Sequence, residues 1–463
     1  PTFRIRAQQV EKLPPCQAQC PNSGDVRGWL GIIAQHEKNG LTLDEAYDRA
    51  WQTIAQRNPL VATIARICPH PCEDNCTRGD KDGAVSINAM ERFLGDWALS
   101  RSLDLPMDES GPHPESVGVV GSGPASLSFA YQMARRGYAV SMYEQHEKPG
   151  GMLRYAIPDY RLPRDVLDAE VERLLKLNIR LYEETDVGSS IDLDDLRDRQ
   201  ELVFLGLGAQ GARSLGIPGE EGPGVLSGID YLQRRKEGSG SLRGSRVIVI
   251  GGGNTAIDAA RSARRDGGTV TVVYRRSENE MPAAAHEVED ARAEGIEFRF
   301  LLSPIEIVHE HGNVHHVEVQ PMRLGEPDEQ GRRRPVPLVG LSQTLLADVV
   351  IVAVAQSPDW HGMDAVAVAR EWLDTRADGK LADDVWAGGD DRGPGIAAAA
   401  IAQGRLAAEA AHAELRGLPR PGTEEQRKPV DRASVRTDCF ERSTPGDLPR
   451  RPRDEWLADP EKE

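Results

Sequence analysis

The chain has 463 residues, 39% hydrophobic and 28% charged, a length and apolar content that suit roughly two to four domains with cores of their own. Lys and Arg total 56 against 73 Asp and Glu, a formal net charge of -17; so acidic a surface repels phosphate backbones and anionic lipid, and neither nucleic acid nor a membrane is expected as a partner. No uncharged apolar run approaches the roughly 20 residues of a membrane span, PTFRIRAQQVEKLPPC has no apolar leader core, Pro1 reads as a start exposed by removal of an initiator Met, and the expected location is cytoplasmic.

Residues 1–105 read as mostly helical. Residues 26–38 and 43–57 carry apolar side chains at helical spacing, and Asn88 to Ser100 gives a third helix. Five of the six cysteines fall between Cys16 and Cys76, and the sixth, Cys439, lies in the C-terminal tail. A disulfide-stapled protein spreads its cysteines over the domains they fasten, whereas this crowding points to metal ligation. The local patterns are Cys16-x3-Cys20-Pro21 and Cys68-Pro-His-Pro-Cys72-x3-Cys76. Pro69 and Pro71 forbid a regular helix, so the backbone must wrap, and a wrapped loop lets several thiolates face one centre. Thiolates select zinc or an iron–sulfur cluster over hard cations, and spacing alone leaves both open. His70 reads as a solvent-facing loop residue rather than a ligand. Asp104–Glu115, with Pro106, Pro112 and Pro114, reads as a linker.

Beyond the linker, strand and helix alternate. Val117–Val120 is followed by Gly121-Ser-Gly123-Pro124-Ala125-Ser126, a helix to Arg136 and the strand Tyr138–Tyr143. Arg246–Ile250 repeats the design with Gly251-Gly-Gly253-Asn254-Thr255-Ala256, a helix to Arg265 and the strand Val270–Tyr274. Two copies of one strand–turn–helix–strand unit imply two Rossmann-like dinucleotide folds. In such a turn the first Gly makes the bend, the second lets a pyrophosphate approach the backbone, and the helix N-terminus supplies partial positive charge. The residue ending the next strand separates the ligands. Glu144 can accept hydrogen bonds from an unphosphorylated ribose, as in FAD or NAD, whereas Arg275 and Arg276 suit a 2′-phosphate. FAD is therefore expected at the first turn, and NADP(H) rather than NAD(H) at the second.

A third signature, Val385-Trp386-Ala-Gly388-Gly389-Asp390, is a strand entering a Gly-Asp turn ahead of the Ala-rich helix Ile396–Ala411. Asp390 would bind ribityl hydroxyls, and the following helix end would face the flavin pyrophosphate. Because this piece returns so late, the NADP(H) fold must be inserted in the FAD fold. The expected fold class is α/β, with a helical segment 1–105, an FAD domain from 116–218 and 347–416, and an NAD(P)H domain 219–346. The tail 417–463, rich in Pro, Arg and Asp, is expected to lie extended on this protein or on a partner.

At these motifs the chain resembles the small (beta) subunit family of NADPH-dependent glutamate synthase, whose relatives include the N-terminal half of dihydropyrimidine dehydrogenase and NADH-dependent ferredoxin:NADP oxidoreductase. The resemblance runs from about Leu13 to Leu418. It rests on Cys68-PHP-Cys72-EDN-Cys76, Gly150-Gly151-MLRYAIPDYRLP, GGGNTAIDAAR from Gly251, YRRSENEMP from Tyr274 and the Gly-Asp turn at Asp390. It implies FAD between the domains, NADP(H) on the inserted domain and 4Fe-4S chemistry in the N-terminal helices. Cys20, Cys68, Cys72 and Glu91 match the ligands of one cluster. Cys16 and Cys76 match half of a second site, whose upstream CxxC is missing here, so one cluster is expected. Gly121, Gly123, Pro124, Ala125, Glu144, Gly151, Arg161, Gly208, Gly389 and Asp390 fall at flavin-side positions, and Gly251, Gly253, Asn254, Thr255, Arg275 and Arg276 at nucleotide-side positions. Gly208 lies in Gly206-Leu-Gly208-Ala209, where the family carries Ala-Thr-Gly-Ala.

The implied function is electron transfer between NAD(P)H and an iron–sulfur protein or catalytic partner subunit, through FAD and the cluster, with no side chain acting as acid, base or nucleophile. Two other readings stay open: a self-contained NADPH oxidoreductase reducing a small molecule at the flavin, and a non-catalytic nucleotide-binding scaffold.

Overall fold

Short Val-, Ile- and Leu-rich runs bounded by glycine turns form strands buried on both faces, as parallel sheets flanked by helices require. The computed structural model describes residues 12–108, 111–236, 238, 241–329, 331–363, 366, 371–420, 428–446, 449 and 451–456. Residues 1–11, 421–427 and 457–463, expected in the helical segment and the extended tail, lie outside the described residues. The chain divides into two compact units: Pro1–Pro149 with Asp165–Gly208 and Trp360–Pro449, and Gly150–Arg164 with Ala209–Asp359 and Arg450–Glu463.

In the first unit five parallel strands run in the order Val385–Ala387, Leu202–Leu205, Ser116–Val120, Ala139–Tyr143, Ile179–Tyr182. Pro124 opens the helix Pro124–Ala134, and every later residue of that helix is buried. The helix Ala397–Leu415 packs on it so closely that a Cβ at Gly404 would lie 2.1 Å from the Ala125 carbonyl oxygen. Ser128 Oγ also donates to the Ile401 carbonyl at 2.8 Å. The N-terminal helices Val26–Ala34, Leu43–Ala55, Val61–Ile67 and Ile87–Ser100 belong to the same unit. Thr42 and Glu45 form a capping box at the start of Leu43–Ala55. Val61–Ile67 has no capping side chain of its own. Its first N–H groups are taken by Glu170, a buried residue of Arg164–Leu175, which accepts from Ala62 N at 2.9 Å and Thr63 N at 2.8 Å.

The second unit repeats the sheet. Its parallel strands run Val225–Ser227, Val349–Val352, Arg246–Ile250, Thr269–Tyr274, Glu297–Phe300, again with the glycine-turn strand in the centre. An antiparallel sheet of Leu302–Glu310, Asn313–Pro327, Arg333–Pro337 and Gln343–Leu346 is added to it.

The units divide the chain differently from the expected segments. Val349–Val352 hydrogen-bonds between Val225–Ser227 and Arg246–Ile250, so residues 347–359 go with the second unit and not with the flavin-type fold. A run of Val-Val-Ile-Val carries no mark of the sheet it will join. Residues 150–164 and 209–218 also group with the second unit, and the helical segment shares a unit with the first sheet. Among the described residues no helix is long and apolar enough to cross a membrane.

Candidate functional site

Cys68 ends the helix Val61–Ile67 in an extended conformation, φ −72° and ψ 130°, which turns the chain outward. His70 then adopts a left-handed conformation, φ 43°, 3.3 Å from Glu73, and Pro71 opens the single turn Pro71–Asp74 that carries Cys72. The two prolines do break the helix as expected, but Cys72 rides on a helical turn. Cys20 follows the short helix Pro15–Gln19, and Glu91 lies on Ile87–Ser100. That last helix approaches Val61–Ile67 so closely that a Cβ at Gly95 would sit 2.5 Å from Ala62 Cα. Glu73 ties the Cys72 turn to the same helix by accepting from Asn88 N at 2.7 Å.

Cys20, Cys68, Cys72 and Glu91 act on one another. Burial raises all four, pushing Cys68 up to about 12 and Glu91 up to about 7, and the Glu91 charge is the largest electrostatic cause acting on each thiol. Cys76 acts in turn on Cys16. Cys16 is raised by burial and then by Cys76, while Val85 N donates to Cys76 Sγ at 3.5 Å. Among the described residues no group of three or more His, Cys, Asp or Glu side chains is placed to hold a metal ion.

The glycine turns are alike in both units. Gly121 has φ +83°, and a Cβ there would lie 2.4 Å from the Gly206 carbonyl oxygen; Gly251 has φ +148°, with Ala353 O at 2.3 Å. Glycine is obligatory at these bends. Gly123 and Gly253 differ, since their φ values of −67° and −91° suit any residue. A Cβ at Gly123 would meet nothing within 4 Å, and one at Gly253 only Pro282 at 3.9 Å. Neither strain nor packing asks for glycine there. The open space lies at the start of the helices Pro124–Ala134 and Asn254–Arg265, where a pyrophosphate would approach.

Glu144 is buried just after Ala139–Tyr143. Its Oε2 accepts from Ser122 N at 3.1 Å and from Ser122 Oγ, and Oε1 accepts from His146 N at 2.8 Å; with about four lone-pair sites on a carboxylate, one more donor can be received. Gly389 donates to Gln403 Oε1 at 2.8 Å, and a Cβ on it would reach within 3.1 Å of Ala125 Cβ. Asp390, pushed up to about 6 by burial, accepts from Gly395 N at 3.1 Å. Its neighbour Asp391, passed over in the sequence, is fully buried and accepts from Leu207 N at 3.2 Å and from Gly208 N. Asp391 thus fixes the Gly206–Gly208 turn beside the Gly389 turn, and its only signal was the doubled acid after Gly389. The first unit thereby gathers Gly121, Gly123, Pro124, Ala125, Glu144, Gly208, Gly389 and Asp390. Gly151, φ 52°, opens the turn Met152–Tyr155 in the second unit. Arg161 is also there, donating to Asp258 at 2.6 and 2.8 Å and pairing with Glu287 at 2.8 Å, so its charge is met by protein carboxylates rather than left free for a cofactor.

In the second unit Asn254 Oδ1 accepts from Ala284 N at 3.1 Å, and Thr255 Oγ1 accepts from Gln356 Nε2 at 3.3 Å. After the strand Thr269–Tyr274 the two arginines part. Arg275 is exposed and has no hydrogen-bond or ion-pair partner among the described residues. Arg276 turns inward and donates to Asp328 at 2.9 Å.

A family profile described as pyridine nucleotide-disulphide oxidoreductase matches residues 115–404, and one described as dihydropyrimidine dehydrogenase domain II, 4Fe-4S cluster, matches residues 7–103. The glutamate synthase (NADPH) small chain of Escherichia coli (strain K12) is 33% identical over 423 residues, 86% of this chain and 87% of its own length. The chain belongs to the glutamate synthase small-chain family. The cofactors of this small-chain family are FAD, a pyridine nucleotide and a 4Fe-4S cluster. Other relatives are longer. The NADP(+)-dependent formate dehydrogenase subunit beta of Moorella thermoacetica is 36% identical over 448 residues, and the NADPH-Fe(3+) oxidoreductase subunit beta of Geobacter sulfurreducens is 36% identical over 352. These matches cover 89% and 74% of this chain, which spans 61% and 51% of those relatives. Mycobacterium tuberculosis FprA in complex with NADPH shares the fold, with a TM-score of 0.56 at 20% identity over 68% of this chain and 88% of that one.

The side chains present fit the small-chain cofactors. Burial raises three thiols and a carboxyl together, so their charged forms are disfavoured there until a cationic centre such as iron compensates them. The open space at Gly123 and Gly253 is what two dinucleotide pyrophosphates need.

Proposed function

We propose that this chain is the electron-input subunit of a larger oxidoreductase, exchanging electrons between NADPH and an iron–sulfur partner, either an enzyme subunit or a ferredoxin. The observation that carries this reading is the grouping of Cys20, Cys68, Cys72 and Glu91 in the same unit as the flavin-type turn. FAD, when bound, exchanges electron pairs for single electrons, and a cluster handles single electrons only.

The chain's own residues bind and orient. Cys20, Cys68, Cys72 and Glu91 hold the cluster, and Cys16 with Cys76 are two ligands short of a second. Gly121, Gly123, Pro124 and Ala125 form the flavin pyrophosphate turn, Glu144 takes a ribose hydroxyl, and Asp390 takes the ribityl chain. Gly251, Gly253, Asn254 and Thr255 form the second turn, and Arg275 pairs with the 2′-phosphate. No side chain is needed as acid, base or nucleophile, because the transfer depends on stacking and exclusion of water. Relatives named as the beta subunit of a formate dehydrogenase and the small chain of glutamate synthase support a partner subunit. The acidic surface speaks against nucleic acid and an anionic membrane as partners.

The test is anaerobic addition of NADPH to the iron- and FAD-loaded protein. Flavin absorption and the broad cluster band near about 400 nm should both bleach. Cys72→Ser should keep the flavin response and lose electron delivery to an added ferredoxin. Undiminished delivery by that variant would take the cluster out of the path.

A further inference from the structure

The loop after Thr269–Tyr274 carries Arg275, Arg276, Glu278 and Glu280. Three of these charges are met. Glu278 accepts from Arg292 at 2.8 Å, Glu280 accepts from Arg333 at 2.7 Å, and Arg276 donates to Asp328 at 2.9 Å. Arg275 alone faces solvent without a partner among the described residues.

Two of the three partners come from one place, the tip of the hairpin formed by Asn313–Pro327 and Arg333–Pro337. The tip is a closed turn, with Asp328 N donating to Arg332 O at 2.7 Å and Gly331 N to Asp328 O at 2.9 Å. Asp328 divides its carboxylate: Oδ1 accepts from Arg332 N at 2.9 Å, which closes the tip, and Oδ2 holds Arg276. The Arg276 side chain is only 8% exposed, so its guanidinium is withdrawn into that contact. At the other end of the loop Glu280 also receives Ser277 Oγ, and its carbonyl accepts from Tyr274 OH at 2.8 Å. The hairpin therefore grips the loop on both sides of its exposed stretch.

We propose that this hairpin tip is the specificity element of the nucleotide site. Through Asp328 and Arg333 it fixes the loop so that Arg275 presents its guanidinium to a 2′-phosphate while Arg276 is kept out of reach. Asp328 is then a positioning residue. The proposal rests on Arg275 being the 2′-phosphate contact. An arginine on a loop already held in place loses less freedom on binding, and that preorganisation favours the ligand carrying the extra phosphate. Without Asp328, Arg276 would be a buried charge with its pair removed, and the loop would have to move to rehydrate it.

The experiment is calorimetric titration of the full-length protein with 2′,5′-ADP and with 5′-AMP, which differ only in the 2′-phosphate. Asp328→Ala should weaken 2′,5′-ADP binding about tenfold and leave 5′-AMP unchanged, and Asp328→Glu should restore most of the loss. Arg333→Gln, altering a side chain 47% exposed and so little threat to folding, should act in the same direction by a smaller factor. An unchanged 2′,5′-ADP affinity in Asp328→Ala and Arg333→Gln, or an equal fall for both nucleotides, overturns the hairpin's role. Arg275→Gln separates that failure from a failure of the underlying reading. If it lowers 2′,5′-ADP affinity while the hairpin variants do not, only the hairpin proposal falls; if it leaves the ratio of the two nucleotides intact, the assignment of Arg275 falls and the proposal with it.

Discussion

A methyl group added at Gly121 and one added two residues later at Gly123 would meet different surroundings. At Gly121 it would press on the Gly206 carbonyl from 2.4 Å, on a backbone with φ +83° where a side chain costs about 1–3 kcal/mol in strain. At Gly123 it would meet nothing within 4 Å. Gly121→Ala is therefore expected to lower the melting temperature of the flavin-free protein. Gly123→Ala should leave that temperature unchanged and reduce the FAD retained through gel filtration; full retention would mean the space serves no pyrophosphate. Such residues were legible because a dinucleotide turn follows a fixed order along a short stretch, and the proposed roles of Glu144 and Arg275 rest on the same order. Asp391 and Asp328 were not. Their partners are Leu207 N and Gly208 N in one case and Arg276 in the other, so far away in sequence that no local pattern joins them.

Between elements, the proposed cluster ligands depend on how closely two helices approach. In Gly95→Val the new side chain would collide with Ala62, whose Cα lies 2.5 Å from the Cβ position. Overpacking of this kind costs about 1–3 kcal/mol and is relieved by moving backbones apart. The helix Ile87–Ser100 would then carry Glu91 away from Cys68, which ends Val61–Ile67. Iron and acid-labile sulfide per FAD should fall, with FAD content unchanged; a full complement of iron would show that the spacing does not matter. Helices with one buried face, such as Leu43–Ala55, stood out through their apolar period. Val61–Ile67 did not, because Val61 to Ala65 are all buried and leave no polar face to set a period. The antiparallel sheet escaped for another reason. Pro304 falls at a bulge in its first strand, Pro321 lies within Asn313–Pro327, and Pro335 and Pro337 occupy an edge strand, all of which argue against strand on a first reading.

Across the whole chain, the late return of the Gly-Asp turn at Asp390 revealed the nesting, while the exact seams stayed hidden because apolar strands carry no address. The tail is the extreme case. Its Pro, Arg and Asp content indicates extended chain, yet residues 428–446 have a definite destination in the first unit, the loop that follows Cys72 and Cys76. Arg432 pairs with Asp80 at 2.5 Å and donates to Asp74 O at 3.0 Å, Lys81 Nζ donates to the carbonyls of Thr437 and Phe440, and Ser443 N donates to Asp82 at 2.8 Å. Val430 N donates to Leu13 O at 2.9 Å, just ahead of Cys16. The tail thus straps both peptide segments that bear cysteines. Most of these contacts are exposed and worth at most about 1 kcal/mol each, so the strap should govern how often the loop opens rather than whether it folds. Replacing residues 428–446 with a Gly-Ser linker of equal length should leave FAD binding unchanged, since the flavoprotein match ends at residue 404. Iron release to a chelator should quicken by roughly fivefold, the factor that about 1 kcal/mol of lost closure allows. Release at the parent rate would mean that the cysteine loop holds its shape without the strap.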